Sequence, residues 1–208
     1  MNAIATDDEN VIMLKAWWQK NRSWFLTLVI VLAVGFAGYK YYAHKQLKTT
    51  EAASILFTEF FGAHEEGNTE LTASLAQQLQ KDYSHTPYAN TVALMLAHDA
   101  VNKNDLAQAD TQLSWIVDKG SAFAKDIARA RLAQVKIAQN DPQAALKLLE
   151  GIAAGEYQPL HDEIKGDAYF ALKNYPDART AYTQAAEGYV KVGLETHLLQ
   201  FKLDALPL

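Results

Sequence analysis

The chain has 208 residues, with 19 Lys or Arg, 24 Asp or Glu and no Cys. A formal charge of −5 argues against a nucleic-acid partner, whose phosphates call for a basic surface. The lack of Cys excludes disulfides, thiol catalysis and thiolate metal sites.

Residues 1–22 form a polar tail with a short amphipathic stretch, Val11 to Trp18, suited to a membrane surface. From Ser23 to Tyr39, 17 residues carry no charge. As a helix they cover about 26 Å, and with Tyr41 and Tyr42 they approach the ~30 Å of a bilayer core. Trp17, Trp18 and Trp24 stand at one end and Tyr39, Tyr41 and Tyr42 at the other, an aromatic belt at both interfaces. The pattern predicts a transmembrane helix over residues 23–42.

Two alternatives compete with that reading. A core helix this apolar needs protein on every face. A cleaved signal peptide is disfavoured by bulky aromatics around Gly35-Phe36-Ala37 and by Asp7, Asp8 and Glu9 ahead of it. Lys15, Lys20 and Arg22 before the segment balance Lys40, Lys45 and Lys48 after it, so charge leaves the orientation open. Ala33, Ala37 and Gly38 offer a small-residue face for docking against another helix in lipid.

Residues 43–208 are expected to form one soluble, all-α domain. Beyond the first 46 residues there are 14 basic and 21 acidic residues, a net −7. Ala, Leu, Gln and Lys are abundant and alternating strand patterns are absent. Pro87, Pro142, Pro159, Pro176 and Pro207 all sit where helices should start or stop. A motif repeats at intervals of 36 and 33 residues. A polar turn precedes a helix carrying Ala109, Ala145 or Ala178; then come Leu113, Leu149 or Tyr182, and Ile116, Ile152 or Ala185. Upstream of the turns lie the small residues Ala97, Ala133 and Gly166, followed by Ala100, Lys136 and Tyr169.

This pattern resembles the tetratricopeptide repeat (TPR), most closely in the third copy, while Lys136 stands where the repeat usually has Tyr. A degenerate earlier copy is expected over residues 51–66 and 70–83. Stacked helical pairs complete a core that none can bury alone. The stretch from Tyr189 to Leu203 is expected to cap the stack by covering the last repeat, with Leu194, Leu198, Phe201 and Leu203 on one helical face.

No enzyme signature is present: there is no phosphate loop, zinc-protease motif, nucleophile elbow or EF-hand. The chain is therefore expected to be no enzyme and to need no metal or cofactor. His64-Glu65-Glu66 and His161-Asp162-Glu163 are expected to be solvated surface, because adjacent helical residues point in different directions. A solenoid instead offers a concave face. Its partner-binding candidates are Leu94, His98, Val101, Gln134, Ile137, Glu163, Asp167 and Phe170, an apolar groove with an acidic end suited to apolar or basic protein segments.

A single N-terminal span, the KAWWQKNRSWF and GYKYYAHKQ flanks and the GDAYFALKNYPDARTAYTQA repeat together resemble the YfgM family of ancillary SecYEG translocon subunits. The resemblance implies a bacterial inner-membrane protein of single-pass type II, N-terminus cytoplasmic and repeats periplasmic. It implies association with the SecYEG translocon and with a membrane-anchored periplasmic chaperone of the peptidyl-prolyl isomerase type, and a part in handing emerging client proteins to periplasmic chaperones. A tethered scaffold or regulator that never touches clients is the alternative.

Overall fold

The computed structural model describes residues 4–150, 155 and 157–207, with side chains from Val11 onward. The predicted repeat position Ile152, the first residues of the tail and the side chains of Asp7, Asp8 and Glu9 lie outside that set. The chain divides into two compact units, Met1–Glu51 and Ala52–Leu208.

The first unit is carried by helix α1 (Ile4–Glu65). Its apolar stretch has no protein around it, and Leu26, Val29, Ile30, Val31, Leu32 and Phe36 are all exposed. A core helix would be covered, so this exposure argues against that alternative, and the stretch is long and apolar enough to be a candidate membrane span. Ala33, Ala37 and Gly38 are likewise exposed, with nothing within 4 Å of the position a Cβ would take on Gly38.

The second unit is all-α, with no strand among the described residues. The end of α1 pairs with α2 (Thr69–Asp82), α3 (Pro87–Asn102) with α4 (Leu106–Lys119), α5 (Ala122–Ala138) with α6 (Pro142–Leu149), and α7 (Gln158–Ala171) with α8 (Tyr175–Lys191); α9 (His197–Asp204) follows. The degenerate first pair is real. Ala53, Phe60 and Ala63 pack with Leu75, Ala76 and Leu79 of α2 and with Ala89 and Val92 of α3.

The same turn joins the helices of the three later pairs. Asn104, Asn140 and Lys173 adopt left-handed φ values of 58°, 62° and 59°. The next amide reaches back over the turn each time: Asp105 N donates to Ala100 O at 2.8 Å, Asp141 N to Lys136 O at 2.9 Å and Asn174 N to Tyr169 O at 2.9 Å. These bonds satisfy carbonyls orphaned at the helix end. Asp105 and Asp141 then cap the following helices, accepting from Gln108 N and Ala144 N.

Among the described residues, buried side chains form four clusters along the array, and more than half of the buried apolar residues are Ala. The positions read from the repeat are the core. Ala109, Ala133, Ala145 and Ala178 are fully buried, and Ala97, Leu113, Leu149 and Tyr182 nearly so. Lys136 has a purpose of its own: its ammonium pairs with Asp110 on α4, and this outweighs the cost of Asp110's burial and holds that carboxyl below the ordinary range.

The C-terminal cap differs from expectation. Helix α9 buries Leu199 and packs Leu203, with Leu206 behind them, whereas Leu194, Leu198 and Phe201 are exposed. Its rotation is set by Lys202, whose role is described below.

Candidate functional site

Between the first helices of two successive repeats lies an apolar groove of about 470 Å³. Leu94, His98 and Val101 of α3 form one wall, and Ile127, Arg131, Gln134 and Ala138 of α5 the other. Ala97, Leu113 and Val135 make the floor, all buried, with Leu106 at one end. The small floor residue Ala97 is what lets the groove sink between the helices. Its size falls within the range of pockets that enclose a few side chains or a small ligand.

Four of the eight predicted partner-binding residues thus come together: Leu94, His98, Val101 and Gln134. The other four do not join them. Ile137 is half-buried against the third cluster beside Leu160 and Ile164. Phe170 is exposed at the end of α7, its ring 6.0 Å from that of Tyr175. Glu163 and Asp167 are already occupied. Lys202 Nζ donates to Glu163 Oε1 at 2.8 Å and to Asp167 Oδ1 and Oδ2 at 2.7 and 2.9 Å. Tyr182 OH donates to Asp167 at 2.8 Å and Tyr189 OH to Glu163 at 3.0 Å. Burial and these carboxylates push both tyrosine hydroxyls well above their ordinary range. Burial works against the Lys202 ammonium, but the bonds to Asp167 and Glu163 outweigh it and raise its pKa. The expected acidic end of the groove is therefore an internal ion-pair network. Arg131, which the repeat pattern did not single out, is the charge that actually borders the groove.

The two His-containing runs are not solvated surface throughout. His64 is part-buried and its Nε2 lies 2.6 Å from Asp99 Oδ2. Burial opposes ionisation of Asp99, yet the His64 contact prevails and holds its carboxyl below the usual range. His161 and Asp162 are both buried. Asp162 accepts from Gln158 Nε2 at 2.8 Å and Lys165 Nζ at 3.2 Å. Both ring nitrogens of His161 lack a hydrogen-bond partner among the described residues. No cluster of three or more His, Asp or Glu suited to a metal ion occurs among the described residues.

Burial drives the His161 pKa below its ordinary 6.5, more than nearby Asp126 and Asp162 raise it. The unfolded chain then binds the extra proton, so stability is complete above about pH 6.5 and declines as the pH falls below it. Thermal melts of the wild type are expected to drop between pH 6.5 and 5, and those of His161→Leu to stay flat across that window. Equal slopes for the two proteins would refute a buried neutral imidazole.

The comparisons with known proteins agree with this architecture. The family described as tetratricopeptide repeat-like domain matches residues 15–207. Curated relatives align end to end. A protein of Neisseria gonorrhoeae named ancillary SecYEG translocon subunit is 29% identical over 209 residues, covering 99% of this chain and 100% of the relative. Its namesake in Escherichia coli is 24% identical, with 99% of both chains covered. That in Haemophilus influenzae is 22% identical, covering 96% of this chain and 97% of its own. No solved structure matches. The resemblance drawn from the span, its flanks and the third repeat is thus the one these relatives carry along their whole length. With its left-handed turns, its alanine-centred helix pairs and a family match over nearly every residue, the chain belongs to the tetratricopeptide repeat-like family.

Proposed function

We propose that this protein is a membrane-anchored, non-enzymatic ancillary subunit of the SecYEG translocon. The observation that carries the reading is the end-to-end alignment with relatives bearing that name. In this reading residues 23–42 span the inner membrane, residues 1–22 face the cytoplasm and residues 43–208 stand in the periplasm. Ala33, Ala37 and Gly38 present the span to the neighbouring channel. The repeat unit engages a membrane-anchored chaperone of the peptidyl-prolyl isomerase type and helps pass emerging proteins to periplasmic chaperones. The apolar groove between α3 and α5 supports a binding role, since it is open and apolar and no other part of the second unit fills it among the described residues.

Affinity purification of the tagged full chain in mild detergent tests this directly. The SecYEG channel is expected to co-purify, and changing Ala33, Ala37 and Gly38 together to Leu is expected to reduce its recovery severalfold. A correctly inserted wild-type chain that recovers no channel would overturn the assignment.

A further inference from the structure

Among the described residues, the lining of the groove between α3 and α5 carries a single full charge, and that charge is positive. Arg131 stands one helical turn after Ile127 on the same wall. Its Nη1 meets only the amide oxygen of Gln134, at 3.4 Å, and no carboxylate lies within salt-bridge distance of it among the described residues. The nearest acid on the opposite wall, Asp99, is turned away. Its Oδ2 faces His64 at 2.6 Å, and its Oδ1 lies 3.6 Å from His98. The acids of α7 that sequence placed at the groove's end are held by Lys202.

An uncompensated guanidinium beside an apolar trough selects a partner by charge as well as by shape. Two parallel helical walls with a floor of small and aliphatic side chains suit an amphipathic helix laid between them.

We infer that the groove binds an acidic amphipathic helix of a partner protein, with aliphatic side chains lowered between Leu94 and Ile127 and an Asp or Glu one turn along paired with Arg131. This rests on the reading of the chain as an interaction protein, and it reverses the preference for basic segments expected from sequence. Arg131 sets the polarity and register of the bound helix, while Leu94, Val101 and Ile127 supply the area.

The test uses the full chain in nanodiscs of zwitterionic lipid, with empty nanodiscs as the blank. The probes are three fluorescent Ala/Leu/Gln helical peptides that differ at one flanking position, Glu, Gln or Lys. Fluorescence anisotropy is expected to show the Glu peptide binding about three- to tenfold more tightly than the Lys peptide. Arg131→Glu is expected to invert that order, and Arg131→Gln to level it. Ile127→Glu is expected to weaken the Glu and Gln peptides by about tenfold or more. Equal binding of all three peptides, still lost in Ile127→Glu, would overturn the acidic preference while leaving groove binding intact. Failure of every peptide to bind, or binding that Ile127→Glu does not alter, would overturn the groove itself.

Discussion

Replacing Gly166 by Ala is expected to lower the melting temperature of the protein by roughly 5–10 °C, for a single added methyl group. A Cβ on Gly166 would stand 2.9 Å from Cγ of the Tyr182 ring, with Cδ1 and Cε1 nearer still. The ring has no room to retreat. Tyr182 is 3% exposed, packs with Ala178, Ala185 and Leu199, and is pinned at its far end by the bond to Asp167. Overpacking of this kind costs about 1–3 kcal/mol, more where the neighbour is held at both ends. In a Tyr182→Ala background the sign should reverse, since Ala then gains its helix-forming advantage of about 1 kcal/mol over Gly. Circular dichroism melts of the four proteins check both halves. A Gly166→Ala protein that melts with the wild type, or a double variant with no reversal, would show that the ring is not the constraint.

Removing Lys202 is the second large effect. In Lys202→Met, Glu163 and Asp167 stay one turn apart on α7 with side chains only 16% and 29% exposed, and nothing cationic answers them. Breaking a fully buried pair costs about 3–5 kcal/mol; with partial solvent access about 2 kcal/mol is expected. Denaturant titration should show this loss at neutral pH. A second change, Glu163→Gln, should recover part of it. In the wild type the network has a pH limit on the alkaline side. Lys202, Tyr182 and Tyr189 all hold their protons more tightly when folded than their ordinary 10.5 and 10.0. The stability they contribute is therefore present below about pH 10 and lost as the pH rises beyond it.

These two sites also mark the boundary of what sequence reveals. Gly166 was legible as a small residue, because a helix pair that packs closely needs one at that register, and Ala97 and Ala133 answered at the same spacing. The long apolar N-terminal helix was legible from composition alone. The face of α9 was not. Its eight residues carry apolar side chains on several sides, so periodicity favours no rotation. What turns it is one ammonium reaching two carboxylates on α7, a contact 35 and 39 residues away in the chain. The same contact removed the acidic end that pattern reading had given the groove. His161 was misjudged for a related reason. Local spacing treats a polar residue as surface, but only the packing of neighbouring helices decides whether the first turn of α7 is covered. Arg131 escaped notice because a lone exposed arginine on a helix is ordinary until its neighbours prove apolar.

The cores of the four clusters bear on how damage spreads. Gly166 and Lys202 act on the last of them, and the groove's floor belongs to the second. Neighbour-to-neighbour arrays melt piecewise rather than all at once, and alanine-built seams hold each piece with little apolar area. A lesion at the C-terminal end is therefore expected to be contained, like a fire stopped at a bulkhead, with the groove between α3 and α5 left intact behind it.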